Sequence, residues 1–162
     1  MNIICTLKSS EPDLLLPVGN FSSRMLLDPL ISTINVFVPN GVSFADDISI
    51  RLGGYIELSF NGVIFAYSDS ISSAPLFEGA TSTTLQINTS GVFPAIPTPT
   101  IDLEGVSFKA INVNGDIRLR AKFDPNIVPG SIVNYDGESH NVTQITVSQS
   151  VNSYTMEIFA NA

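Results

Sequence analysis

Cysteine and histidine, two side chains often used as nucleophile and base, each occur once in the chain, as Cys5 and His140. A nucleophile–base pair would have to use His140. His140 follows a predicted hairpin turn by two or three residues and stands among polar neighbours in a predicted strand. No Gly-x-Ser-x-Gly turn is present, and no motif flanks Cys5. We therefore predict no catalytic residues and expect that the protein is not an enzyme.

Metal and cofactor sites are not predicted either. A single cysteine and a single histidine exclude the usual zinc ligand sets. The acidic pairs Asp46-Asp47 and Asp102/Glu104 could contact Ca²⁺, but neither lies in a loop with the alternating oxygen ligands and the glycine of an EF-hand. No tryptophan marks a sugar cleft, and no glycine-rich phosphate loop precedes a helix. We read the acidic pairs as solvated turn carboxylates and expect no metal and no cofactor.

Charge argues against nucleic acid as a partner. The formal net charge is −8 and the pI is near 4.3, whereas phosphate binding needs clustered Lys and Arg. Arg118, Arg120 and Lys122 do cluster, and their two-residue spacing places all three on one face of a strand. That face is either a solvated outer surface or a basic stripe that meets an acidic patch on a neighbouring subunit.

Cysteine usage and hydropathy indicate the compartment. With Cys5 alone no internal disulfide can form, which agrees with assembly in a reducing cytoplasm, and we expect Cys5 to be a small buried apolar residue. The first ten residues have neither the basic region nor the apolar core of a signal peptide. No window approaches the roughly 18 apolar residues of a membrane span. Neither a signal peptide nor membrane insertion is predicted.

Short strands and turn pairs predict an all-β protein. Asn61-Gly62, Asn114-Gly115 and Asp136-Gly137 are the pairs that two-residue hairpins favour. We expect strand 63–68 to be central and helix to stay below about 10% of residues, against a usual third. The predicted strands cover residues 3–7, 33–38, 48–52, 55–60, 63–68, 83–88, 106–113, 116–123, 131–135, 138–149 and 152–159.

A proline-rich segment divides the predicted fold. Residues 94–100 contain three prolines, which favour an extended crossing over a strand. We predict two small antiparallel subdomains, each barrel-like or sandwich-like, at 1–93 and 101–162. The first contains an apolar loop at 10–30, which either folds over the end of the barrel or docks on a neighbouring subunit because its apolar side chains need burial. A second loop is predicted at 70–80.

Two groups of segments resemble the baseplate hub proteins of phage tails. IVPGSIV at 127–133, NVTQITVSQS at 141–150 and YTMEI at 154–158 are similar to the closing barrel of that family. GGYIEL at 53–58, NGVIF at 61–65 and TTLQI at 83–87 resemble its opening barrel. Together the segments and the strands between them span about two-thirds of the chain.

The resemblance implies a structural component of a phage tail, a baseplate hub or tube-adaptor ring that joins the tail tube to a spike or tip. Its partners would be itself, in a ring of three- or six-fold symmetry, and other tail proteins, with no direct nucleic-acid binding. The protein would reside in the virion after assembly in the host cytoplasm. The candidate interface residues are Leu14, Leu15, Leu16, Phe21, Met25, Leu26, Leu76, Phe77, Arg118, Arg120 and Lys122.

Two other functions stay open. A receptor- or carbohydrate-binding β-sandwich at a tail fibre or tip would bind a ligand as an isolated domain and would carry a shallow aromatic site. A small hydrolase would lose activity when His140 is changed.

Overall fold

The computed structural model describes residues 3–27, 31–78, 83–89, 99–150 and 153–161. Within these ranges the chain forms fifteen strands, one short α-helix and one 3-10 turn. The strands make two sheets, mostly from antiparallel neighbours. The prediction of an all-β fold with very little helix is confirmed, and the described strands form a sandwich-like arrangement rather than a closed barrel.

The strands follow one another along the chain, and the single helix falls between the fourth and fifth. The α-helix α1 covers Ala45–Ser49 and is preceded by the 3-10 turn Gly41–Phe44. The strands are β1 Ile3–Lys8, β2 Leu14–Pro17, β3 Asn20–Leu26, β4 Ile31–Pro39, β5 Tyr55–Phe60, β6 Val63–Ser68, β7 Ile71–Ser73, β8 Leu76–Glu78, β9 Thr83–Thr89, β10 Thr100–Asp102, β11 Phe108–Ile111, β12 Ile117–Ala121, β13 Ile132–Tyr135, β14 Glu138–Ser150 and β15 Ser153–Asn161.

The smaller sheet contains β2, β1, β5 and β6 in that order. In β1 the side chains of Cys5 and Leu7 are fully buried, whereas Ile4, Thr6 and Lys8, which alternate with them, are more exposed. Directly opposite, Leu58 and Ile56 of β5 are also fully buried. The two-residue period of apolar side chains therefore turns one face of this sheet towards the core.

The larger sheet contains eleven strands, with the main order β11-β12-β15-β14-β3-β4-β9-β7. β14 has thirteen residues and pairs with β15 along one edge at residues 141–150. The other edge of β14 pairs with β13 at residues 138–141 and with β3 at residues 144–148. This sheet contains strands from both sides of the proline-rich segment. The division into subdomains at 94–100 stays a prediction, and residues 94–98 lie outside the described ranges.

Two of the three predicted turn pairs have positive φ at both residues, whereas at Asn114-Gly115, between β11 and β12, only Gly115 does. Asn61 and Gly62 have φ of 50° and 84°, and Asp136 and Gly137 have φ of 58° and 82°. These left-handed pairs connect β5 to β6 and β13 to β14. The positive φ at both central residues matches the turn whose twist suits paired strands.

The segment 10–29 contains two strands, so the prediction of an irregular apolar loop is wrong. β2 pairs with β1, and β3 lies between β14 and β4. Pro17 ends β2, and the Gly19 N–H donates to the Phe37 carbonyl at 2.8 Å just before β3. Ser23 occupies a buried position of β3, which hides the apolar alternation of that strand.

The predicted strand at 48–52 is also wrong, because residues 45–49 form α1. Phe44, Ala45 and Ile48 recur at helical spacing and pack against the core, with Ile48 fully buried. Ile50 and Leu52, which would share a strand face with Ile48, are 60% and 49% exposed. The buried apolar residues of this segment therefore follow the helical period and not the two-residue period of a strand.

Two further expectations differ from the structure. β6 is an edge strand of the smaller sheet, not a central one, and Val63 and Ile64 at its start are exposed. The predicted loop at 70–80 contains β7 and β8, which both pair with β9. These strands have three residues each, too few to show an alternation.

An aromatic cluster joins the two sheets. Phe65 lies on β6 of the smaller sheet, and Phe21 and Tyr154 lie on β3 and β15 of the larger one. Phe123, just after β12, packs on Phe65 with ring centroids 5.0 Å apart and on Phe60 of β5 at 5.3 Å. Both contacts are edge-to-face, the geometry that aromatic pairs prefer. The core is therefore continuous between the sheets.

Candidate interaction surface

Three of the candidate interface residues belong to the core. Leu16, Phe21 and Met25 are 3%, 2% and 1% exposed and pack within the hydrophobic cluster. They are buried because β2 and β3 pair into the two sheets instead of forming a docking loop. These three side chains are corrected from interface to core.

The other apolar candidates differ in accessibility. Leu15 is 62% exposed and points away from the core on β2. Leu14 and Leu26 are partly buried. Leu76 and Phe77 lie in β8, but their side chains fall outside the described residues. Of this group, Leu15 is the most available for contact with another molecule, and its role stays a prediction.

Arg118 and Arg120 lie on β12 and hold the same carboxylate on the neighbouring strand β15. The Arg118 Nη2 donates to Glu157 Oε2 at 2.7 Å, and the Arg120 Nη2 donates to Glu157 Oε1 at 2.8 Å. The two arginine side chains are about half exposed, whereas the Glu157 side chain is 18% exposed. Their alternation along β12 places both on one face, as the spacing predicted.

The arginines shift the titration of their partner. The hydrogen bond from Arg120 is the first cause that holds the pKa of Glu157 below its usual value, and Arg118 adds to it, while partial burial acts in the opposite direction. Glu157 therefore keeps its negative charge to lower pH than a free glutamate. The three side chains form a charged cluster that stays intact near neutral pH.

Two phenylalanines flank this cluster. The guanidinium carbon of Arg118 lies 5.4 Å from the ring centroid of Phe159 and 5.9 Å from that of Phe108. The guanidinium carbon of Arg120 lies 5.8 Å from the Phe108 centroid. Cation–π contacts of this kind hold a guanidinium over an aromatic face. The arginines are thus fixed in orientation by carboxylate and ring together.

The strand register extends this cluster across the larger sheet. Residues that pair directly on neighbouring strands share a face of the sheet, so their side chains lie side by side in a row across the strands. One row runs through Phe108, Arg120, Glu157, Thr146 and Arg24. The next row runs through Ala110, Arg118, Phe159, Gln144 and Leu26. We call the surface formed by these ten residues the arginine face.

Several members of the arginine face were not predicted. Arg24 donates to Gln144 Oε1 at 3.0 Å, and it comes from a segment that was expected to be a loop. Glu157 lies about forty residues from the arginines that it binds. Only the pairing of β12 with β15 and of β14 with β3 brings these residues together. The alternation of residues within each strand could have shown which side chains share a face, but not which strands lie next to each other.

Lys122 lies just beyond the end of β12 and is exposed. It lines a cleft of about 660 Å³ between the two sheets. Aromatic rings of Phe60, Phe123 and Tyr154 line the same cleft, which also has acidic side chains. Those acidic residues are Asp102, Glu104 and Asp124. We call this feature the aromatic cleft.

The residues with catalytic potential lie elsewhere. His140 is 4% exposed on β14, and neither of its ring nitrogens has a hydrogen-bond partner among the described residues. Its Nε2 lies 3.8 Å from the Glu138 carboxylate, which is largely exposed. Cys5 is fully buried, which raises the pKa of its thiol. Cys5 lies on β1 of the smaller sheet and His140 on β14 of the larger one.

Metal-ligating side chains do not gather in the described part of the chain, where no group of three or more His, Cys, Asp or Glu residues could hold an ion. The helix in the described ranges is too short to cross a membrane. That the protein lacks enzymatic activity and cofactors stays a prediction.

The fold is shared with a protein of known structure. The tail protein from Neisseria meningitidis MC58 superposes with a TM-score of 0.67, covering 100% of this chain and 97% of that one. The two sequences are 6% identical, so the likeness shows the fold alone. No protein-family model and no curated protein matches the sequence.

Proposed function

We propose that this protein is a structural component of a bacteriophage tail that acts through its subunit interfaces. The observation that carries the proposal is the full-length likeness of its fold to a tail protein. The similarity of the segments at 127–133, 141–150 and 154–158 to tail hub proteins supports it independently, since it was read from residues and not from shape.

The finer proposal is a baseplate hub or tube-adaptor ring. Such a ring would join the tail tube to a spike or tip, with three- or six-fold symmetry, and would contact both itself and other tail proteins. The protein would be located in the virion tail after assembly in the host cytoplasm. A ring subunit works by buried interface, which agrees with a chain whose charged residues are only 14% of the total.

The test is to locate the chain in intact particles. The loop between β1 and β2 suits a short peptide tag because residues 10–13 are exposed and connect two strands of the smaller sheet. We expect electron cryomicroscopy of tagged particles to show additional density in a ring at the tail tip, compared with untagged particles. If tagged chain accumulates in the lysate while purified particles lack it, the tail proposal is wrong.

A second candidate function is favoured by the aromatic cleft. Three aromatic side chains and several carboxylates around about 660 Å³ are the kind of lining that a carbohydrate or receptor ligand would use. The module would then act at a tail fibre or tip. Binding of the purified chain to a glycan panel, lost on Glu104→Gln, an exposed residue of the cleft, would support this function. Particles with a ring at the tail tip and no glycan binding would support the structural one.

A further inference from the structure

The exposed arginines of this chain lie on one surface. Four arginines occur in the sequence, and one of them, Arg51, is buried and donates to the backbone carbonyls of Asp47 and Pro12. The other three, Arg24, Arg118 and Arg120, all belong to the arginine face. With strands about 4.8 Å apart, the row from Phe108 to Arg24 spans roughly 19 Å.

Charge on the arginine face is opposite to that of the rest of the chain. Among its ten residues, Glu157 is the acidic one. Three arginines and one glutamate give this face a formal charge of +2, and since the whole chain carries −8, the remainder carries −10. One surface of the molecule is therefore complementary to the others.

The composition of this surface is that of a protein interface. Arginine and aromatic residues are enriched in interfaces, and lysine and aspartate are depleted. Phe108 remains 43% exposed although it lies between two guanidinium groups, and β11 beside it is exposed along its whole length. In the described part of the chain β11 pairs with β12 alone, so its second edge is open to another molecule.

We propose that the arginine face binds the acidic surface of a second copy of this chain. Two arginine faces would repel each other, so a symmetric contact in which each copy uses the same surface is disfavoured. The contact must join two different surfaces, head to tail, and contacts of that type close into rings or extend as filaments. This inference rests on the proposed ring and names the surface that builds it.

The geometry favours protein over nucleic acid as the occupant. Arg118 and Arg120 share the carboxylate of Glu157 at 2.7 and 2.8 Å, so this cluster carries a formal charge of +1, which is small for phosphate binding. A net charge of −8 repels a polyanion at longer range. An acidic protein surface can add carboxylates around the exposed half of each guanidinium, whereas the flanking rings supply apolar contact.

The test compares two doubly neutralised variants of the full chain by sedimentation equilibrium. Arg118→Gln with Arg120→Gln removes two positive charges from the arginine face. The matched control, Lys8→Gln with Lys109→Gln, removes two positive charges elsewhere, since Lys8 lies on the smaller sheet and Lys109 on the opposite face of β11. We expect wild type to self-associate more tightly at low salt, the arginine variant to associate about tenfold or more weakly, and the control to match wild type.

A mixing experiment tests the head-to-tail arrangement. Arg118→Glu with Arg120→Glu disables one surface but leaves the acidic one, so this variant should cap wild-type assemblies and reduce their mean size. A symmetric contact predicts no such capping, because the variant would have no working surface.

Several outcomes would overturn the inference. These are a wild-type chain that stays monomeric at every concentration, equal weakening by both neutralised pairs, assemblies that the charge-reversed variant does not shorten, or duplex DNA binding that is lost on Arg118→Gln with Arg120→Gln. The proposed tail function is tested separately by the tagged particles. A chain found in particles but monomeric in solution would refute the inference alone, and a chain that self-associates through the arginine face but is absent from particles would refute the tail function.

Discussion

Replacing Glu157 with glutamine would remove the negative charge between Arg118 and Arg120 while keeping the shape of the side chain. The carboxylate accepts one hydrogen bond from each arginine, at 2.7 and 2.8 Å. Its own side chain is 18% exposed, but the arginine side chains are 46% and 49% exposed. The amide can accept from one arginine only, and it carries no charge to attract the other.

The expected decrease in the free energy of unfolding lies between two limits. Hydrogen bonds to charged groups contribute about 1.5–3 kcal/mol each when well protected, and exposed ion pairs about 0.2–1 kcal/mol. Because both arginines are half in water, we take values nearer the lower limit. Glu157→Gln should therefore lower the free energy of unfolding by about 1–2 kcal/mol, which for a chain of this size lowers the melting temperature by about 2–8 °C.

The stability lost on Glu157→Gln should decrease as the pH falls. The pKa of Glu157 is lowered in the folded protein, first by the hydrogen bond from Arg120. A carboxylate with a lowered folded pKa stabilises the protein fully above its unfolded pKa, near 4.3, and this stabilisation disappears as the pH falls through the folded value. The difference between wild type and Glu157→Gln should thus be constant near neutral pH and should shrink in acid.

Urea denaturation followed by circular dichroism, at neutral pH and at several acidic pH values, measures this difference. Glu11→Gln is the control, because Glu11 is exposed and should change the stability by less than about 0.5 kcal/mol at any pH. A loss of the same size in acid as at neutral pH would refute the reasoning, since it would show that packing and not charge stabilises the cluster.

Three further predictions concern the fold. Gly137→Val should cost about 1 kcal/mol or more in chemical denaturation, because Gly137 has φ of 82° with open space around it, so the cost is backbone strain; no cost would contradict the turn geometry. Phe21→Ala should cost about 3–5 kcal/mol and Leu15→Ala less than about 0.5 kcal/mol, as expected for a core and a surface residue; similar thermal melts would contradict that assignment. His140→Leu should leave the unfolding free energy at neutral pH unchanged or raised, because it removes two buried nitrogens without hydrogen-bond partners; a loss above about 1 kcal/mol would reveal a partner for the ring.

The features that could be predicted are those that depend on a few neighbouring residues. Asp136-Gly137 and Asn61-Gly62 form left-handed turns because glycine has no Cβ, and because asparagine and aspartate adopt positive φ more readily than most other residues. Arg118 and Arg120 share a face because successive strand residues point to opposite sides. In both cases the neighbouring residues contain the whole physical cause.

Predictions that required partners from elsewhere in the chain were less successful. Residues 14–17 and 20–26 become strands because β1, β14 and β4 supply their hydrogen bonds, although Ser23 breaks the apolar alternation. Residues 45–49 become a helix because burying Ile48 beside Phe44 requires helical spacing. A short segment with a few apolar residues is compatible with both periods, and packing against the core selects one.

The all-β class, the two left-handed hairpin turns and the acidic net charge could be read from the sequence, as could the alternation that places Arg118 and Arg120 together. Strand pairing and packing place Leu16, Phe21 and Met25 in the core and bring Glu157 and Arg24 to the arginines on one face. The two groups of features differ in the distance along the chain over which their causes act. Turn geometry and strand period act over a few bonds, whereas the neighbours of a strand are chosen by the burial of the whole chain.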